Sequence, residues 1–285
     1  MTLTSTIPAI ERTLDLRAAP DRVWRALTDA DELSQWFGQR ADLRPEVGYD
    51  GWMEWDGHGR YAMRVEEADA PRRFAVRWMN SQDVPLDPAR SSLVEWDLEP
   101  TPTGGTRLHL RESGFRDLES RAGNTVGWLA EQAELVQLLA TEPWEAGIRR
   151  TYTFRSSPDR VWDAFADTEQ FHAWWGGGEP TTLRPGALGW WDWPSEGRFA
   201  YRIERVEPPS YLAWTWTVTP DTALDEATEV LRTEWAFEAR EDGGTDLHLF
   251  ESGFTGPDHH RQNSGGWDTD VSPALRQALG EAPAD

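Results

Sequence analysis

The chain has 285 residues, enough for two domains of ordinary size, each able to bury its own core. Its 50 acidic residues outweigh 28 basic ones, and the formal net charge of −22 opposes nucleic acid and anionic membrane, which need clustered Lys and Arg. Cys is absent and every basic residue is Arg, so disulfides, thiolate chemistry and Lys Schiff bases are excluded.

The first predicted element is a strand from Ile10 to Arg17, in which apolar and polar residues alternate as a half-buried strand requires. It recurs from Ile148 to Arg155. A short helix follows, with Pro20 or Pro158 suited to its first turn and Ser157 a good N-cap. Val23, Ala26 and Leu27 form its inner stripe, matched by Val161, Ala164 and Phe165. A second short helix ends near Trp36 or Trp174.

Strands come next. Tyr61/Met63/Val65, Phe74/Val76/Trp78 and Val94/Trp96/Leu98 alternate inward, and Phe199/Tyr201/Ile203, Leu212/Trp214/Trp216 and Thr233/Trp235/Phe237 answer them. The Gly-Gly pairs at 104–105 and 243–244 suit tight hairpin turns. The unit closes with a helix from about 123 to 140, on which Trp128, Leu135, Leu138 and Leu139 share a face.

These correspondences make the chain an internal duplication, with residues 9–141 and 147–280 as its two domains. PDRVWRALTDADELSQWFG returns as PDRVWDAFADTEQFHAWWG, and GGTRLHLRESGF as GGTDLHLFESGF. Fourteen of the 18 tryptophans fall into seven aligned pairs, which leaves Trp144, Trp175, Trp191 and Trp214 unmatched. Helices segregated to one face of an antiparallel sheet make the class α+β. The second copy of the long helix differs, because GWDTDVSPALRQAL carries Pro273 in its middle. A proline inside a helix removes a hydrogen bond and clashes with the preceding turn. The segment is therefore expected to kink near Val271, or to restart with Ser272 as cap and Pro273 in its first turn, leaving the second copy the more open.

The Pro-Asp-Arg-Val-Trp helix start, Trp36-Phe37-Gly38, Gly-Gly-Thr, Glu-Ser-Gly-Phe and the late Gly-Trp resemble the START/Bet v 1-like (SRPBCC) superfamily. Within it they look like the activator-of-Hsp90-ATPase-like branch. The resemblance covers nearly the whole chain, twice. It implies a tandem helix-grip fold, each curved antiparallel sheet wrapped around a long C-terminal helix, with an apolar cavity between them. Phe171-His172-Ala173-Trp174-Trp175-Gly176 further resembles the START-like proteins of enediyne clusters, self-sacrifice resistance proteins among them. Polyketide aromatase/cyclases are a second similar group.

The aromatic set carries the functional reading. Trp36, Trp55, Trp78 and Trp96, with Trp174, Trp175, Trp193, Trp216 and Trp235, are the candidate walls of an aromatic-lined pocket for a large hydrophobic molecule of polyketide, polyene or enediyne type. The other reading of the same residues is a solid core. Arg12 shares inward parity with Leu14, and Glu112 with Leu110; Arg150 and Glu251 repeat the pattern. Each Arg is therefore expected to pair with its Glu on neighbouring first and last strands, because an unpaired buried charge is expensive. His109 and His248 fall on the outer parity, whereas His172, beside the tryptophan pair, is the acid/base candidate if the protein is a cyclase. Gly176-Gly177-Gly178 reads as a flexible loop at the cavity mouth. No HExxH, GxSxG or phosphate-binding glycine motif occurs, so no metal or cofactor is expected. The partner class is a hydrophobic small molecule, not nucleic acid or membrane; an Hsp90-activator-like interaction module is a third reading. No signal-peptide or membrane-spanning run is visible, so the expected location is the cytoplasm, and the oligomeric state is left open.

Overall fold

In a computed structural model, which describes residues 7–178, 182–225 and 229–282, the chain divides into two compact units, residues 1–141 and 142–285. The first runs β1 (Ile10–Leu16), α1 (Pro20–Thr28), α2 (Ala30–Leu33), β2 (Arg40–Asp42), β3 (Asp50–Trp55), β4 (Gly59–Asp69), β5 (Arg73–Met79), β6 (Ser91–Pro100), β7 (Thr106–Ser113) and α3 (Leu118–Leu139). Its seven antiparallel strands lie in the order β1-β7-β6-β5-β4-β3-β2. The second unit repeats this with β8 (Ile148–Phe154), α4 (Pro158–Ala166), α5 (Thr168–Trp174), β9 (Gly177–Gly178), β10 (Leu188–Trp193), β11 (Gly197–Glu207), β12 (Tyr211–Thr217), β13 (Val230–Ala239) and β14 (Thr245–Ser252). Its order is β8-β14-β13-β12-β11-β10-β9. The architecture is α+β: two helix-grip units, each a curved antiparallel sheet with helices on one face.

Alternation places the core. In β1 the even residues Ile10, Arg12, Leu14 and Leu16 are buried, and in β7 so are Thr106, Leu108, Leu110 and Glu112. α1 lays Val23, Ala26 and Leu27 on the sheet, spaced at i, i+3 and i+4. The second short helices are anchored identically: Trp36 Nε1 donates to Ala26 O and Trp174 Nε1 to Ala164 O, both at 2.8 Å. α3 starts at Leu118, several residues before the sequence pattern becomes periodic, because Asp117 caps it by accepting from the Ser120 N–H at 2.8 Å. Its buried face is Arg121, Thr125, Trp128, Leu129, Gln132, Ala133, Leu135 and Val136, while Leu138 and Leu139 sit at the edge.

The corresponding segment of the second unit is divided. α6 (Pro257–Gly266) passes into a π-helical turn (Trp267–Val271) and then α7 (Ser272–Leu279), with Pro273 in its first turn. The wider turn absorbs the missing proline N–H without ending the helical path. β8 clamps it: Tyr152 Oη donates to Trp267 O at 3.0 Å, and Arg150 bridges Asp268 and Ser264. Gly177-Gly178 is not a loose loop. It pairs with β10 as an edge strand, Gly178 opposite Trp191. Trp144 packs against the second unit's core.

Candidate functional site

Each unit holds a cavity between its sheet and its C-terminal helix. The first, of about 490 Å³, is walled by Phe37, Trp55, Tyr61, Trp78 and Trp128, with His58, Asn80, Ser120, Asn124 and Glu131 at its polar positions. The second, of about 790 Å³, is walled by Trp175, Trp193, Phe199, Trp216 and Trp267, with His172, Glu196, His259 and Asn263. The two linings coincide in the repeat: 37/175, 55/193, 61/199, 78/216, 124/263 and 128/267. The aromatic rings are packed against one another, not merely near. Phe37 stacks on Trp128 at 5.3 Å and meets Trp55 edge-on at 5.1 Å. Trp175 contacts Trp191, Trp214 and Trp267 at 5.3–5.4 Å.

Under each aromatic wall lies a fully buried carboxylate. Glu112 Oε1 accepts from Trp78 Nε1 (2.8 Å), Ser92 Oγ (2.5 Å) and Asn124 Nδ2 (2.9 Å), and its Oε2 from Trp128 Nε1 (2.6 Å). Glu251 Oε1 accepts from Thr233 Oγ1 (3.0 Å) and Trp216 Nε1 (3.3 Å), and its Oε2 from Asn263 Nδ2 (3.1 Å) and Trp267 Nε1 (2.8 Å). None of these partners is a cation. Burial raises both carboxyls above the ordinary Glu value, against the lowering effect of the four donors. What the arrangement does mechanically is plain. Two indole N–H groups, one from the sheet and one from the C-terminal helix, are fixed on the two oxygens of one carboxylate, so the rings that wall the cavity are held in a set orientation.

The expected Arg–Glu pairs are not formed. Register puts Ile10, not Arg12, opposite Glu112, and Ile148, not Arg150, opposite Glu251. Arg12 is buried opposite Leu110 and donates to Glu11 O at 2.9 Å. Arg150 turns to Asp268, with Nε–Oδ1 at 2.5 Å. The groups that reach each Glu are an indole from β5 or β12, two strands away, a hydroxyl from the adjacent β6 or β13, and an indole and an amide from the C-terminal helical segment. Of the expected wall residues, Trp55 and Trp78 line the first cavity, and Trp174, Trp175, Trp193 and Trp216 the second. Trp36, Trp96 and Trp235 are core, as are Trp191 and Trp214. His172 lines the second cavity. His109 and His248 are partly exposed and held by Thr13 and Thr151. Among the described residues no cluster of His, Cys, Asp or Glu is arranged to hold a metal, and no helix is long and apolar enough to cross a membrane.

The family model for "Activator of Hsp90 ATPase homolog 1-like protein" matches residues 17–140 and again 155–280. The chain belongs to that family. It is a tandem member of this START-like group, with both family segments containing a complete cavity wall and its buried Glu. Comparison with curated proteins finds no match. Solved structures similar to parts or all of this family member include protein MLL2253 from Mesorhizobium loti, 29% identical over 46% of this chain and 96% of its own, with TM-score 0.42. DynU16, from the dynemicin biosynthetic locus, is 18% identical and covers 96% of this chain and 97% of its own, with TM-score 0.41. CalU16 from Micromonospora echinospora is 24% identical over 50% of this chain and 85% of its own, with TM-score 0.37.

Sequence reasoning missed Asn124 and Asn263, Ser92 and Thr233, Phe37, and the second wall's His259. The asparagines had left a signal: both stand four residues before the paired Gly-Trp tryptophans, in GNTVGW and QNSGGW.

Proposed function

We propose that this protein binds a large, flat hydrophobic small molecule of polyketide, polyene or enediyne type in its aromatic cavities, in natural-product biosynthesis or self-resistance. The observation that carries the reading is the second cavity. Its roughly 790 Å³ of space is left open by the very tryptophans that a solid core would use to fill it. Volumes of about 300–1,000 Å³ are typical of small-molecule sites. Rings held on a buried carboxylate give rigid, preorganised walls, which lowers the ordering cost of binding. The indole N–H groups of Trp216 and Trp267 are already engaged, so these rings offer the ligand their faces more than their donors.

The test is titration with a panel of polyenes and polycyclic polyketides, followed by tryptophan fluorescence. Saturable quenching is expected, weakened by Trp78→Ala or Trp216→Ala. No quenching by any of the panel would return these residues to the role of core.

A further inference from the structure

The two cavities differ in where they carry histidine. His172 and His259 line the second, where the repeat places Ser34 and Ser120 in the first unit, and His58 lines the first, where the second has Glu196. Each ring has one nitrogen, Nε2 of His172 and Nδ1 of His259, buried without a hydrogen-bond partner, while its other nitrogen is not buried. A second proton on the His259 ring would place a charged N–H in that dry position, so its neutral form is favoured. Desolvation also lowers the His259 pKa, in the same direction. Unpaired buried N–H groups are rarer than unpaired buried acceptors, which puts the single proton on the accessible nitrogen, His172 Nδ1 and His259 Nε2. Both rings then present an N–H donor.

Those donors are distinctive in this wall. The single indole N–H groups of Trp174, Trp193, Trp216 and Trp267 already donate to protein acceptors, and the Gln262 and Asn263 amides each donate one of their two N–H groups. The Trp175 N–H is buried within the ring cluster. No Ser, Thr or Tyr hydroxyl is among the described lining side chains. Among the aromatic lining side chains, His172 and His259 therefore offer the N–H groups that a ligand oxygen can meet.

We propose that the second cavity selects conjugated ligands bearing a hydrogen-bond-accepting oxygen, a ketone or quinone carbonyl, through His172 and His259. This rests on the binding function proposed above. Equilibrium dialysis of the full chain with 9-fluorenone and with fluorene, which differ by the carbonyl alone, separates the two claims. His172→Phe and His259→Phe keep a ring at each position and remove its N–H donor. In at least one of them the fluorenone-to-fluorene affinity ratio should fall on the order of five- to tenfold, the worth of one hydrogen bond, with fluorene unchanged. A ratio unchanged in both variants overturns the carbonyl selection and leaves the apolar cavity standing. Binding of neither probe to the wild type overturns both. Nitrogen-15 NMR of the wild type gives a check independent of the variants: the neutral rings should carry their proton at His172 Nδ1 and at His259 Nε2. The opposite tautomers would refute the proposal.

Discussion

Replacing Glu251 with Gln tests whether burial or donation governs the carboxylate under the second cavity. Trp216 and Thr233 donate to Oε1, Asn263 and Trp267 to Oε2. Whichever oxygen becomes an amide nitrogen, one indole N–H then faces another donor. Leaving one such buried donor unpaired costs about 1–3 kcal/mol, which is the expected deficit of the variant in acid, where the wild-type carboxyl is neutral. Burial holds the folded pKa of Glu251 above its ordinary value of 4.5. Between those two values the folded state keeps a proton that the unfolded state has lost. Wild-type stability therefore falls as pH rises through this window, by up to about 1.4 kcal/mol per unit, and levels off above the folded pKa. Gln does not titrate, and the remaining acids titrate in both proteins and cancel in the difference. Urea midpoints from pH 5 to pH 8, read by tryptophan fluorescence, should show the wild-type advantage greatest at the acid end and shrinking with pH. An advantage that is constant, or that widens with pH, would mean that the four donors outweigh desolvation and would refute the reasoning.

Two other substitutions probe the cavity's frame. Gly176→Ala forces a side chain into φ +135°, with its Cβ 2.7 Å from Trp193 Nε1. The Trp193 bond to Trp175 O should break and stability fall by about 1–3 kcal/mol, with a shifted Trp193 indole resonance as the check. Trp174→Phe removes the buried N–H bond to Ala164 O and part of the ring volume. Thermal or urea unfolding should register a loss of about 2–4 kcal/mol, whereas Trp190→Phe, whose ring lies under Arg198 at 4.9 Å, should change stability by less than about 1 kcal/mol.

The fold was legible because the chain states it twice. Periodicity alone leaves PDRVWRALT a short amphipathic segment, but its return after 138 residues, with the same tryptophans downstream, fixes the element order. The break at Pro273 was legible from covalent chemistry: a helix restarts with Pro273 in its first turn, although Val271 and not Ser272 stands at the cap position and a π-helical turn leads into it. Partners were not legible. Parity shows which face a residue occupies and not which neighbour it meets, so Arg12 and Glu112 were placed on one face correctly and paired wrongly. The residues that claim Glu112 come from β5, β6 and α3, and only the three-dimensional register brings Trp78, Ser92, Asn124 and Trp128 together. No strand was named at β3, where Gly51 stands among the apolar residues. The glycine is required there, since a Cβ would lie 2.0 Å from Asp42 O.

The most direct test of the account follows the indole N–H resonances in a proton–nitrogen correlation spectrum during titration with a polyene. Binding in the second cavity should move the resonances of Trp193, Trp216 and Trp267, whose rings wall it, and leave that of Trp190 in place. Saturable shifts confined to the wall tryptophans are the predicted result. No shift in them at saturating probe, or shifts of equal size at Trp190, would contradict the claim that these rings enclose a binding site.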